Sequence, residues 1–204
     1  MRLWDGSTCN MLRIGVLASH QGTNFQAIAD ACADGTLNAR VALLICNNSS
    51  AAVMERAARA DIPAMHFSSK THPDPAALDA AICNSLTQAG IELIVLAGYM
   101  KKIGPRVLKH FENRIINVHP SLLPKFGGQG YYGMHVHEAV IAAGDKCTGA
   151  TVHLVNGGYD KGDIIRQERI AVEAEDTATS LSMKVHRLEH RLLLDVIRQF
   201  AEEQ

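Results

Sequence analysis

The sequence has no basic block. Its 20 Lys and Arg are balanced by 21 Asp and Glu, for a net charge of −1. Nothing in it would neutralise a row of phosphates, which argues against nucleic acid as a partner. One small phosphorylated ligand stays open, because a single helix terminus can hold it. No apolar run reaches the roughly 18 residues that cross a bilayer, so no membrane is expected. The opening MRLWDGSTCN lacks the apolar core of a secretory signal. The five cysteines, Cys9, Cys32, Cys46, Cys83 and Cys147, are scattered and odd in number. With no CxxC and no close Cys/His pair they suggest neither zinc nor a disulfide framework, and a reducing cytoplasm fits. There is also no GxGxxG and no GK[ST], so neither the dinucleotide fingerprint nor a Walker loop is present.

What is present is a chain of 204 residues, 47% of them hydrophobic, enough for one well-packed domain. Residues 1–10 read as an extension ahead of a second Met, and residues 11–204 as a single domain. Apolar runs at 13–19, 41–46, 62–67, 91–99, 114–119, 150–156 and 164–172 read as strands. Helical patterns lie between them at 24–34, 50–60, 75–89, 104–111 and 135–143. This alternation predicts an α/β fold: a three-layer, mostly parallel, Rossmann-like sheet with helices on both faces. The last strands have only one helix between them and should extend the sheet in an irregular or antiparallel way. A long C-terminal helix spans about 177–200, with Leu181, Val185, Leu188, Leu192 and Val196 as its apolar stripe.

The turn after the first strand reads SHQGTNFQAI. Thr23 and Gln26 have capping-box spacing, which predicts a helix starting at 23–24. Gly22 lets the backbone come close to a ligand, and free N–H groups at the helix start favour an anion such as phosphate. The plainer alternative is an ordinary tight βα turn with a good cap.

The stretch NVHPSLLPKFGGQG begins at Asn117. With the two-residue period of a strand, Asn117 and His119 share one face while Ile116 and Val118 take the other. Pro120 ends the strand. An amide and an imidazole are thus presented together at a strand's C-terminal end. The amide suits a developing oxyanion and the imidazole suits proton movement near neutral pH. Further on, VNGGYDKGDIIRQ carries Asp160 in a turn, with Asp163 as a rival. A carboxylate near His119 would raise the imidazole pKa and favour its charged form; a turn Asp bonding its own backbone is the commoner role.

Taken together, GTNFQAI, LAGYMKKIGP, NVHPSLLPKF and YDKGDIIRQ, in that order, resemble the phosphoribosylglycinamide formyltransferases, folate-dependent enzymes of purine synthesis, over residues 12–200 or so. The resemblance implies that Gly22, Thr23 and Asn24 hold the substrate's phosphate. It implies that Met100, Lys101, Lys102 and Ile103, with Asn117, line the folate pocket. Asn117, His119 and Asp160 would be the catalytic residues, and Glu189 the acid that meets the substrate's amine. The co-substrate would be 10-formyltetrahydrofolate, with no metal, and a homodimer stays open.

The pattern departs from the family in places. Some members have an arginine after the third strand that touches folate; here the stretch is SSKTHPDPAALD, with Lys70 or His72 as substitutes. The loop GGQGYYG is longer than in the shortest members. Two related enzymes fit less well: methionyl-tRNA formyltransferase has an added C-terminal domain, and formyltetrahydrofolate hydrolase an N-terminal one. From another class, a non-catalytic module that senses a phosphorylated metabolite would use the same sheet.

Overall fold

A computed structural model describes residues 11–203; the expected extension at 1–10, with Cys9, lies outside the described residues. Seven strands and six helices follow one another in the order β1 (Leu12–Ala18), α1 (Thr23–Ala33), β2 (Ala39–Cys46), α2 (Ala52–Arg59), β3 (Ala64–His66), α3 (Pro75–Gln88), β4 (Leu93–Leu96), α4 (Pro105–His110), β5 (Ile115–His119), α5 (Met134–Ala142), β6 (Cys147–Leu154), β7 (Ile164–Ala171) and α6 (Ala178–Glu202). They form one sheet of order β3-β2-β1-β4-β5-β6-β7. The first five strands in that order are parallel, as βαβ crossovers require. β6 and β7 then run antiparallel, which resolves the open expectation for the late strands.

The two sheet faces are covered by different helices. On one side Phe25 and Ile28 of α1, Val53 and Ala57 of α2, Val140 of α5 and the whole predicted stripe of α6 pack against Ile14, Val16, Leu44, Ile116, Val118 and Val152. On the other, Ile82 and Leu86 of α3 and Val107 of α4 meet Leu17, Ile45, Ile94 and Ile115. β1 and β4 are almost wholly buried because helices cover both faces, so apart from Arg13 they read as apolar runs. The run at 91–99 forms strand only over Leu93–Leu96; its last residues turn away to line the site.

The helix starts differ from expectation at one end of the chain and exceed it at the other. α1 does begin at Thr23, but the expected Thr23/Gln26 capping box does not form. Gly22 itself is the N-cap, at φ 70°, with no side-chain cap. The Gln26 side chain instead donates to Asp30 at 2.8 Å and accepts from Arg56 at 3.1 Å. α6 carries a capping box that its sequence hides behind a serine: Thr177 accepts from the Ser180 N–H at 3.1 Å, and Ser180 Oγ accepts from the Thr177 N–H at 3.0 Å. Among the described residues no helix is long and apolar enough to cross a membrane.

Candidate active site

The site lies at the C-terminal ends of β1, β4 and β5, where the strand order changes direction and an open α/β sheet leaves a crevice. A cleft of about 540 Å³ is lined there by Gly22, Thr23, Asn24, Met100, Asn117, His119, Asp160 and Glu189, among others. A recess of about 100 Å³ adjoins it, lined by Lys101, Lys102 and Ile103 and sharing Tyr99, Asn117, Tyr159 and Asp160 with the cleft. All eleven residues singled out from sequence therefore meet at one place. Lys70 and His72 do not line it; His72 packs edge-on against Phe67 and bonds Thr71.

One end of the cleft is the start of α1. Gly22 sits at positive φ, and a Cβ there would fall 2.3 Å from Val53 Cγ2, so only glycine lets the turn lie against α2. α2 pins the turn in return: Val53 N–H donates to the His20 carbonyl at 3.1 Å, and Arg56 Nε to the Gln21 carbonyl at 2.8 Å. At the far end of β1, Ser19 Oγ donates to Asn47 Oδ1 at 2.5 Å and accepts the Met100 N–H at 2.8 Å. This hydroxyl joins the loops after β2, β1 and β4. α4, which follows the 100–104 segment, is capped by the buried Asp79, which accepts from Arg106 N–H at 2.7 Å and Val107 N–H at 3.3 Å. Gly104 is what permits this, since a Cβ there would lie 2.2 Å from Asp79 Cγ.

The centre is built on β5 and its antiparallel neighbour. Asn117 and His119 share a face, as the strand period requires, and their register partners on β6 are His153 and Thr151. Thr151 donates to the Ser121 carbonyl at 2.6 Å and accepts the Leu123 N–H at 3.2 Å, which fixes the loop after Pro120. Asp160, at φ 52°, turns its carboxylate inward. Its Oδ2 faces His119 Nδ1 at 3.5 Å and its Oδ1 faces His153 Nε2 at 3.4 Å. Asp163 does not share this position: its backbone carbonyl accepts from Leu154 and its side chain is not part of the lining.

The electrostatics correct one expectation. Burial pushes the His119 imidazole below its ordinary pKa; Asp160 and the Phe126 carbonyl pull it upward but do not win. Burial therefore disfavours the charged imidazole more than one carboxylate favours it. Asp160 is itself buried, which pushes its pKa up, yet bonds from His153, the His119 charge and the Gly128 N–H leave it below the usual carboxylate value. His119 Nε2–H donates to the Phe126 carbonyl at 2.7 Å. Asn117 Nδ2 lies 3.1 Å from His153 Nε2 and donates to Asp160 Oδ1 at 3.4 Å.

Glu189 is not a solvent-facing helix residue. It is 4% exposed, and burial pushes its carboxyl up to about 8, with a bond from Asn24 acting the other way. His186, one turn earlier, lies 3.7 Å from it. His137 of α5 also lines the cleft, and its Nδ1, like Asn24 Oδ1, is buried without a hydrogen-bond partner among the described residues. The sequence reading missed His137, His153 and Thr151. For the last two a signal existed: ATVHLVN places Thr and His on one face of a buried strand, the same alternation that marked Asn117 and His119. Among the described residues no group of three or more His, Cys, Asp or Glu is arranged to hold a metal ion.

Comparison with known proteins agrees with this geometry. Residues 12–197 match the family described as formyl transferase. The phosphoribosylglycinamide formyltransferase of Bacillus subtilis is 40% identical over 189 residues, which covers 93% of this chain and 94% of that one. The chloroplastic phosphoribosylglycinamide formyltransferase of Arabidopsis thaliana is 37% identical over 202 residues, 98% of this chain and 69% of that one. The crystal structure of glycinamide ribonucleotide transformylase 1 from Geobacillus kaustophilus matches with a TM-score of 0.87 at 43% identity, covering 94% of this chain and 99% of that one.

Proposed function

The chain belongs to the formyl transferase family, and we propose that it transfers the formyl group of 10-formyltetrahydrofolate to the amine of 5'-phosphoribosylglycinamide, giving formylglycinamide ribonucleotide and tetrahydrofolate, a step of purine synthesis. The observation that carries this reading is a convergence. Asp160 lies within 3.5 Å of both Asn117 and His119 on the floor of a cleft that has an anion-favouring helix start at one end and the Met100–Ile103 segment at the other.

In this reading Gly22, Thr23 and Asn24 hold the phosphate through the free N–H groups of α1. Glu189 receives the substrate's amine. That amine attacks the formyl carbon, and the carbonyl oxygen gains charge that donors must meet. The Asn117 N–H that reaches Asp160 at 3.4 Å is the weakly held one. It turns to the oxyanion while the buried β5 strand keeps the side chain at the cleft floor. His119, paired with Asp160, moves the proton from the attacking amine toward the folate nitrogen as the C–N bond to the donor breaks.

The single-domain reading of residues 11–204 is part of the proposal, supported by one sheet that joins all seven strands. A cytoplasmic setting belongs to the proposal as well. The test is spectroscopic release of tetrahydrofolate from 10-formyltetrahydrofolate, with and without the ribosylglycinamide. Release that depends on the amine, and that His119→Ala abolishes in a folded protein, is expected. Absence of release rejects the reading, and release without the amine would show hydrolysis instead.

A further inference from the structure

The short segment from Lys125 to Gly128 touches both His119 and Asp160. The Phe126 carbonyl lies 2.7 Å from His119 Nε2. A carbonyl can only accept, so Nε2 carries a hydrogen whether the ring is neutral or charged. Two residues on, the Gly128 N–H donates to Asp160 Oδ2 at 2.9 Å, the same oxygen that faces His119 Nδ1 at 3.5 Å. One stretch of backbone thus holds the imidazole by a carbonyl and the carboxylate by an N–H. Its conformation is not one the chain adopts unaided. Phe126 has φ 54°, a region where a bulky residue is rare and must be held by its surroundings. Ser121, fully buried, donates its hydroxyl to the Lys125 carbonyl at 2.7 Å. Gly127 lies so close to Leu123 that a Cβ would fall 2.3 Å from Leu123 Cδ2. The Phe126 ring meets Tyr131 edge-on, with centroids 5.9 Å apart. The remaining contact is charged. Lys125 Nζ lies 2.7 and 2.6 Å from the two carboxylate oxygens of Asp145, just after α5, and 5.0 Å from the centre of the Phe126 ring. Neither Lys125 nor Asp145 lines the cleft.

We propose that Lys125 and Asp145 are positioning residues for formyl transfer: their ion pair, outside the cleft, clamps the Lys125–Gly128 segment so that the Phe126 carbonyl and the Gly128 N–H hold His119 and Asp160 in place. The catalytic part of this inference rests on the proposed function; the clamp on the histidine does not. Both residues act through backbone groups two or three positions away, and neither touches the reacting atoms. The Lys125 side chain is 58% exposed, and an ion pair of that kind contributes little to folding. Its loss should therefore be felt in the placement of His119 rather than in stability. Small displacements of a reacting group are costly: about 1 Å can lower a rate about 100-fold.

Two experiments test this. The first is kinetic. Lys125→Met keeps the stem over the Phe126 ring and removes the charge; Asp145→Ala removes the other partner. Each should lower kcat about tenfold or more while KM for both substrates stays within about threefold. Tm should stay within about 3 °C of the wild type. Lys125→Arg, which keeps the charge, should recover most of the loss. The double variant Lys125→Met/Asp145→Ala should cost less than about twofold beyond the worse single, because groups that act as a unit are not additive. An unchanged kcat in either single variant, losses that multiply, or a kcat loss matched by a large fall in Tm overturns the positioning role. The second experiment reads His119 without turnover. In the wild-type protein, ¹H–¹⁵N NMR at neutral pH is expected to show a hydrogen on His119 Nε2 that exchanges slowly with solvent. In Lys125→Met it should exchange at least about tenfold faster, as local opening becomes easier, and Lys125→Arg should restore slow exchange. A bare Nε2 in the wild type, or exchange that Lys125→Met leaves unchanged, overturns the clamp. No formyl transfer by the wild-type protein would reject the proposed function, and the exchange rates would still decide whether the ion pair holds the histidine.

Discussion

The backbone N–H of Gly128 donates to Asp160 Oδ2 at 2.9 Å, so the carboxylate that faces His119 also anchors the glycine-rich loop over the cleft. Asp160→Asn should lower kcat about 10- to 100-fold. It should also move the His119 titration further down, since the charge that pulls it upward is gone. Histidine NMR titration checks the shift; an upward or absent shift would sink the pairing. The depressed Asp160 pKa means that the ionised group adds stability above the ordinary carboxylate range. This stability is lost as the pH falls through the folded-state value, and Asp160→Asn should flatten that limb of the acid denaturation curve.

Glu189 predicts the opposite pH dependence. Its carboxyl is raised from 4.5 to about 8 by burial. Between those values the unfolded chain releases the proton and the folded protein keeps it, so the group's contribution to stability falls as pH rises across that window. Glu189→Gln removes the penalty. Its Tm should exceed that of the wild type by only a little at pH 5 and by roughly 5 °C or more at pH 8. The same variant should lose kcat/KM for the amine substrate. Parallel Tm-against-pH curves for the two proteins would refute the buried acid.

Gly22→Ala combines an unfavourable positive φ with overlap against Val53. A loss of about 3 kcal/mol is expected, with weakened stabilisation of the protein by the phosphorylated substrate. Adding Val53→Ala should restore part of the ligand effect, because it removes the clashing methyls. Differential scanning calorimetry with and without the substrate measures both parts.

Asp79 lies outside the cleft but caps the helix that follows the 100–104 segment. Asp79→Ala should cost about 1–2 kcal/mol. It should raise KM for the formyl donor several-fold, with kcat nearly unchanged. A change confined to kcat would show that α4 does not set the donor pocket.

Much of this site could be read from local patterns. The alternation in RIINVH put Asn117 and His119 on one face, and the stripe of α6 placed Glu189 beside a buried seam. What local patterns could not supply was pairing across the sheet. His153 and Thr151 matter because the antiparallel register sets them opposite Asn117 and His119, and register depends on strands more than thirty residues apart. The choice between Asp160 and Asp163 turned on which carboxylate reaches His119 and His153, a contact between distant segments. The direction of the His119 shift depended on how much apolar structure surrounds the ring, which a list of charged neighbours omits. The Thr23/Gln26 spacing misled because Gly22 caps α1 without a side chain.

Ser19 supplies one oxygen to three loops at once, tying the turn that leads into α1 to the loop after β2 and to the Met100 segment. On the proposed reading, the acceptor's anchorage and the donor's anchorage therefore share a keystone. An engineer who reshapes either half to admit a different molecule should find the other half's selectivity drifting with it, and the two would have to be retuned as a pair.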